Sequence, residues 1–132
     1  MKIFYSALIE TFIEFKKPIV LAINGPAVGL GVSIIGLVDL AFASDKATFH
    51  TPFTKLGLVP EACSSFIFPL LMGDLKAKEV LLFNRKLTAS EAFDRGLLNA
   101  VIPNDKFESE ISRKLEEFSK LPKNVRKPSA RV

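Results

Sequence analysis

Glu61, a carboxylate among apolar residues, is a first candidate for moving a proton. It follows Pro60 in the segment TPFTKLGLVPEACSSF, and its apolar neighbours along the chain include Phe53, Leu58 and Phe66. Pro60 predicts a helix that begins there and carries Glu61 in its first turn. An acid in that turn can act as a general base, or it can do no more than compensate the helix dipole. This segment alone leaves both interpretations open.

A glycine-rich run, INGPAVGLGVSIIGLVDL at residues 23–40, is a second candidate for chemistry. A phosphate loop requires Gly-Lys, but no lysine follows until Lys46, and a dinucleotide fingerprint requires a glycine where Ile34 stands. Both phosphate-binding motifs are therefore excluded. What remains is a strand that enters a helix through a turn, whose free amides suit a developing oxyanion. The alternative is that the glycines only permit tight packing of strand on helix.

Helices and strands that alternate along the chain must position these two segments. The patterns predict helices at 3–16, 30–38, 60–72, 75–83, 88–96 and 105–120, and strands at 18–23, 40–44, 47–51 and 99–103. Thr88 and Glu91 have the spacing of a capping box, and Gly96 is expected to end the helix that they open. This alternation favours an α/β fold with an at least partly parallel sheet.

Two alternatives for the whole chain can be weighed from composition. The run Pro18–Val38 has no charged residue and is long enough to cross a bilayer, but its glycines argue against one continuous helix. We therefore expect no membrane span. The net charge of +4 comes from the last fifteen residues, which carry +5 and leave −1 for the rest. No aromatic residues interleave with those basic side chains, so we expect no nucleic-acid partner.

The rarest side chains predict no further chemistry. The single cysteine, Cys63, excludes an internal disulfide and is expected to be a small core residue. The single histidine, His50, is expected to be a structural strand residue. One histidine and one cysteine do not suggest a metal site or a redox cofactor.

Four linked motifs make the chain resemble the enoyl-CoA hydratase/isomerase (crotonase) superfamily, and within it the Δ3,Δ2-enoyl-CoA isomerase branch. They are AINGPAVGLG, ASDKATFHTPFTKLG, PEACSSFIFP and LTASEAFDRGLLNAVIP, in this order, within a match from about residue 15 to about residue 121. The resemblance implies the C-terminal part of a crotonase-type spiral of β-β-α units. It also implies a coenzyme A thioester as substrate, no other cofactor, trimeric assembly, and residence in the peroxisome or mitochondrion.

The resemblance also implies a role for individual residues. An oxyanion-hole amide of the family falls on the backbone N–H of Leu30, and the glutamate of the isomerase branch falls on Glu61. The two glutamates that hydratases use to activate water match Ser33 and Phe53, which favours isomerisation over hydration. The substrate pocket is then expected to include Pro26, Gly29, Gly31, Phe53 and Leu56.

The ends of the chain depart from the family pattern. Family domains begin upstream, where they supply the first oxyanion amide, so residues 1–121 are expected to form a partial domain that is weak or inactive alone. Residues 122–132 are expected to form a basic, flexible tail. The chain shows no targeting signal that we recognise. The alternatives are a non-catalytic crotonase-like module that binds acyl-CoA or a protein, and a fragment that associates with full-length relatives.

Overall fold

The computed structural model describes residues 2–122, which form six α-helices and two three-stranded sheets. The predicted tail, apart from Pro122, lies outside these residues. The helices are α1 Lys2–Glu14, α2 Leu30–Ser33, α3 Ser64–Met72, α4 Asp74–Leu81, α5 Ala89–Asp94 and α6 Phe107–Ser119. The strands are β1 Val20–Ile23, β2 Ala27–Val28, β3 Leu40–Ser44, β4 Thr48–His50, β5 Leu87–Thr88 and β6 Ala100–Ile102. Three 3₁₀ turns cover Ile34–Leu37, Thr54–Leu56 and Asn104–Lys106.

The first sheet is parallel throughout and confirms the predicted α/β class. Its order is β1-β3-β6, with Val20 opposite Leu40 and Phe42 opposite Ala100. One face contributes Ile23, Ala41 and Ala43 to the main core. The opposite face lies under α6, where Phe42, Ile102 and Phe107 form a second, smaller cluster. Such burial on both faces is typical of parallel sheets.

The second sheet is small and has the order β2-β4-β5. Strand β4 pairs in parallel with β2 and in antiparallel orientation with β5. The sequence did not predict β2 or β5, because two residues are too few for a period-2 pattern. Phe49 on β4 and Leu87 on β5 are fully buried, so this sheet closes one side of the main core.

The uncharged run Pro18–Val38 folds as β1, a turn, β2, α2 and a 3₁₀ turn. The predicted helix 30–38 is thus present, but only its first four residues are α-helical. Within residues 2–122, no helix is both long enough and apolar enough to cross a membrane.

The helix predicted to open at Pro60 begins instead at Ser64, so that prediction is wrong. Ala62 and Cys63 have left-handed backbone angles, with φ of 51° and 59°. Two successive residues with positive φ turn the chain away from the helical path, so the preference of Pro60 for a helix start is not used. Glu61 therefore lies in a loop before α3 and not in its first turn.

A large share of apolar side chain remains exposed on the described residues. Leu75, Val59 and Phe83 are 81%, 80% and 78% exposed, and Phe66 and Leu70 of α3 also face outward. Strand β1 pairs with β3 alone among residues 2–122, which leaves its other edge open in this part of the chain. The described part of the chain therefore has an unpaired sheet edge and exposed apolar surface, both of which favour association with other chains.

Candidate active site

The glycine turn presents the amide of Leu30 at the start of α2. Gly29 has φ 58° and ψ −119°, and its own amide donates to the His50 carbonyl at 2.8 Å. The amides of Val32 and Ser33 donate to the Gly29 carbonyl at 2.9 and 3.1 Å. The Leu30 N–H donates to no acceptor within residues 2–122. It is thus a free hydrogen-bond donor held by a fixed turn.

Glu61 has a fixed backbone and a carboxylate without a partner. Its carbonyl accepts hydrogen bonds from the amide and the hydroxyl of Ser64, at 2.9 and 2.6 Å. Its half-buried side chain makes no hydrogen bond or ion pair with any other described residue. The carboxylate is therefore available to accept a proton from a bound molecule.

The segments that follow Leu30 and Glu61 pack against each other. The 3₁₀ turn that continues α2 contacts α3, the helix that follows Glu61. The approach is close at Gly36, where an added Cβ would lie 2.9 Å from Cγ2 of Ile67. A larger residue at this crossing would therefore force the Ile67 side chain or one of the two segments to shift.

The two positions that match hydratase glutamates lie in the interior. Ser33, the last residue of α2, is fully buried, and its hydroxyl lies 3.4 Å from the Gly29 carbonyl oxygen. Phe53 is 3% exposed, and its carbonyl accepts from the amides of Leu56 and Leu58. Neither side chain can act as an acid or base, so both positions contribute only packing and hydrogen bonding here.

The other residues predicted to form the substrate pocket lie around the glycine turn and on the loop after β4. Pro26 is exposed, Gly29 and Gly31 are half-buried, and Leu56 is 65% exposed. These residues line neither of two clefts in the described region. A larger cleft of about 630 Å³ lies beyond the carboxyl ends of β1 and β6, and a smaller one of about 180 Å³ lies between the 3₁₀ turn 34–37 and the 96–99 segment.

Sequence reasoning did not find the larger cleft. It is lined in part by Asn24, Asn104, Asp105, Phe107 and Glu108. The available signal was that Asn24 follows β1 and Asn104 follows β6, because parallel strands end at one edge of their sheet.

The structure contradicts the prediction for the single cysteine and agrees with the prediction for the single histidine. Cys63 is exposed, so its prediction as a core residue is wrong. The left-handed turn carries its side chain to the surface instead of onto the inner face of a helix. His50 ends β4, as a strand residue should, and acts through its backbone carbonyl. Residues 2–122 contain no cluster of three potential metal ligands.

The pKa of Glu91, a carboxyl group on α5, is lowered by its contacts. The Thr88 amide donates to Glu91 at 2.9 Å, Arg85 pairs with the same carboxylate, and the Thr88 hydroxyl lies 3.1 Å from it. These contacts lower the pKa of Glu91 to about 2. The predicted capping box is therefore confirmed, and it ties β5 to α5.

Comparisons with known proteins agree with this architecture. The Enoyl-CoA hydratase/isomerase family model matches residues 2–129. Enoyl-CoA delta isomerase 2 of Rattus norvegicus is 54% identical over 88% of this chain and 30% of its own length. Enoyl-CoA delta isomerase 3, peroxisomal, of Mus musculus is 53% identical over 89% of this chain and 37% of its own. The Chromodomain Y-like protein of Homo sapiens is 47% identical over 84% of this chain and 19% of its own.

A comparison with solved structures supports the same family through the fold. The crystal structure of enoyl-CoA hydratase/isomerase from Pseudoalteromonas atlantica T6c has a TM-score of 0.83 and 38% identity, covering 86% of this chain and 46% of that one. The chain thus spans about a third of the length of the two isomerase relatives and about half of the solved structure. By its sequence match and its crotonase fold, the chain belongs to the enoyl-CoA hydratase/isomerase family.

Proposed function

We propose that this chain carries the catalytic glutamate of a Δ3,Δ2-enoyl-CoA isomerase of fatty acid β-oxidation, with Glu61 as the proton shuttle. The observation that carries the proposal is the Glu61 carboxylate, which has no partner among the described residues. Positions 33 and 53, which match the hydratase glutamates, hold serine and phenylalanine instead. Relatives named enoyl-CoA delta isomerase support the same reaction class.

The chemistry follows from the acidity of a 3-enoyl thioester. Its C2 proton is acidified by the carbonyl and by the adjacent double bond, and Glu61 removes it to give a dienolate. The negative oxygen of the dienolate accepts a hydrogen bond from the Leu30 N–H. One such donor contributes about 3 kcal/mol to transition-state stabilisation. Protonated Glu61 then returns the proton at C4, which gives the trans-2-enoyl thioester.

This reaction needs no cofactor beyond the coenzyme A carried by the substrate. One carboxylate suffices, because the proton removed from C2 is the proton delivered to C4. The surroundings expected for the acyl chain are Pro26, Gly29, Gly31, Phe53 and Leu56. We infer that the second oxyanion donor and much of the coenzyme A contact lie outside these 132 residues. Trimeric assembly, as the family resemblance implies, would follow in the completed domain.

We propose a peroxisomal location, which the name of one relative favours. The mouse relative, at 53% identity, is named as peroxisomal. Degradation of unsaturated acyl chains would then supply the 3-enoyl thioester. Import of a fluorescent fusion of the natural gene product into peroxisomes, scored against a mitochondrial marker, tests this location.

A non-catalytic acyl-CoA or protein-binding module is the second candidate. The match to Chromodomain Y-like protein favours it, because that relative is named for a chromodomain and not for an isomerase. Measurement of turnover distinguishes the two candidate functions. A module would bind a coenzyme A thioester or a protein without converting a 3-enoyl thioester.

The decisive experiment compares Glu61→Gln with the parent on a 3-enoyl-CoA substrate. Glutamine keeps the shape of the side chain but cannot accept the proton, so most turnover should be lost while thioester binding remains. Formation of the conjugated 2-enoyl product is followed by its ultraviolet absorbance. Glu108→Gln, an exposed glutamate on α6, is the matched control, and His50→Ala should matter far less. Near-parental turnover in Glu61→Gln would refute the assignment.

A further inference from the structure

The turn Ala62–Cys63, directly after Glu61, holds an unfavourable backbone conformation. Ala62 and Cys63 both have left-handed φ, and the other non-glycine residue of this kind within residues 2–122 is Asn84. Asparagine tolerates that region, whereas alanine and cysteine rarely enter it. A pair of such residues persists only where the surrounding structure enforces it.

Ser64 and the first turn of α3 hold Ala62 and Cys63 in this conformation. The Ser64 amide and hydroxyl both donate to the Glu61 carbonyl oxygen, and Ser64 is 1% exposed. The amides of Phe66 and Ile67 both donate to the Cys63 carbonyl. Phe68, fully buried, anchors the helix in the main core. The backbone of Glu61 is thus clamped from the C-terminal side, while its carboxylate stays free.

We propose that Ser64, through its paired hydrogen bonds and the Ala62–Cys63 turn, is a positioning residue for Glu61. This inference rests on the proposed function, because it assigns Glu61 the role of base. Ser64 itself does not touch the substrate. Its contribution is to keep the carboxylate within reach of C2 and C4 without a search over backbone conformations.

The test uses variants of the whole chain with two readouts. Ser64→Ala removes the hydroxyl bond, Ser64→Thr keeps it, and Cys63→Gly relieves the unfavourable left-handed conformation at residue 63. The matched controls are Ser119→Ala, whose hydroxyl donates to the carbonyl three residues back at 2.7 Å, and Asn84→Gly, which relaxes a left-handed residue elsewhere. Hydrogen exchange of a peptide covering residues 60–67 reports the turn. Steady-state kcat and KM, measured at high enzyme concentration, report the chemistry.

In Ser64→Ala, exchange of the 60–67 peptide should rise and kcat should fall about tenfold, with KM within about twofold. In Cys63→Gly, where glycine accepts the left-handed angles without strain, exchange should not rise. Ser64→Thr and both controls should stay near the parent. Unchanged exchange in Ser64→Ala would overturn the inference, and so would faster exchange with full kcat. Equal turnover by the parent and Glu61→Gln would instead refute the proposed function, and the exchange data would still decide whether Ser64 holds the turn.

Discussion

Gly29 occupies a backbone conformation that a side chain would disfavour, so its substitution tests the proposed role of the Leu30 amide as an oxyanion donor. Nothing lies within 4 Å of a Cβ added at Gly29, so the cost of Gly29→Ala comes from φ 58° and ψ −119° alone. We expect a destabilisation of about 1–3 kcal/mol by urea unfolding. We also expect kcat to fall because the Leu30 amide is displaced.

Gly31→Ala is the matched control for that change. An added Cβ at Gly31 also meets nothing within 4 Å, but the residue is helical and its φ is not positive. Alanine should therefore be neutral or stabilise α2 by up to about 1 kcal/mol. Equal losses of stability in the two variants would show that the backbone conformation of Gly29 carries no special cost.

The reaction type can be tested at Ser33 and Phe53. Because neither side chain can activate water, a 2-enoyl-CoA substrate should be hydrated slowly if at all. The measurement is chromatographic detection of 3-hydroxyacyl-CoA beside the isomerisation rate in one preparation. Rapid formation of 3-hydroxyacyl product by the parent would overturn the choice of isomerase over hydratase.

Among the elements, α5 gives a pH prediction. Hydrogen bonds from Thr88 and the ion pair with Arg85 lower the pKa of Glu91 from 4.5 to about 2. A lowered pKa in the folded state means that the stabilisation is complete above pH 4.5 and is lost as the pH falls toward 2. Glu91→Gln should flatten the pH dependence of the melting temperature within this window.

The elements also show what sequence patterns can predict. Strands β1, β3 and β6 were predictable because each is a short apolar run between turn signals, and α5 because its cap is encoded in two residues. The start of α3 was not, because Ala62 and Cys63 have no intrinsic preference for left-handed angles. Their conformation is imposed by tertiary contacts, which a local pattern does not contain.

The same distinction applies to the candidate site. Glu61 and Leu30 were named through motif resemblance, and the structure adds that both polar groups lack partners among the described residues. The larger cleft depends on how α6 lies against the end of the first sheet. That relation joins segments far apart in sequence, so local patterns can indicate which strand ends meet there but not how α6 packs beside them.

At the scale of the whole molecule, residues 1–132 alone should be a poor isomerase. An oxyanion hole with one of its two donors is expected to lose about a hundredfold in rate, and lost substrate contacts add to this. The test compares the 132-residue chain with a fusion to the N-terminal half of a relative. Equal rates would show that the chain already carries a whole site.

Exposed apolar surface should also make the 132-residue chain associate. Leu75 and Phe83 are almost fully exposed, and side chains of this kind bury themselves between molecules when they can. Sedimentation should therefore report species larger than a monomer. The double substitution Leu75→Lys and Phe83→Lys should lower the average mass of the sedimenting species relative to the parent. The control Lys76→Arg should leave that mass unchanged.

Side-chain hydrogen bonds join both ends of β6 to β3 or to the residue that follows it. These bonds should affect how fast the sheet unfolds. The Ala41 amide donates to Asn99 Oδ1 at 2.7 Å, and the Asn104 amide donates to Asp45 Oδ1 at 3.1 Å, across 58 and 59 residues of chain. We expect contacts between such distant segments to form late, after the rate-limiting barrier, because a long loop must close first. Interactions made after the rate-limiting barrier slow escape from the native state and leave the speed of folding unchanged. The two hydrogen bonds should therefore slow the unfolding of β6 from β3 and lengthen the lifetime of the folded sheet.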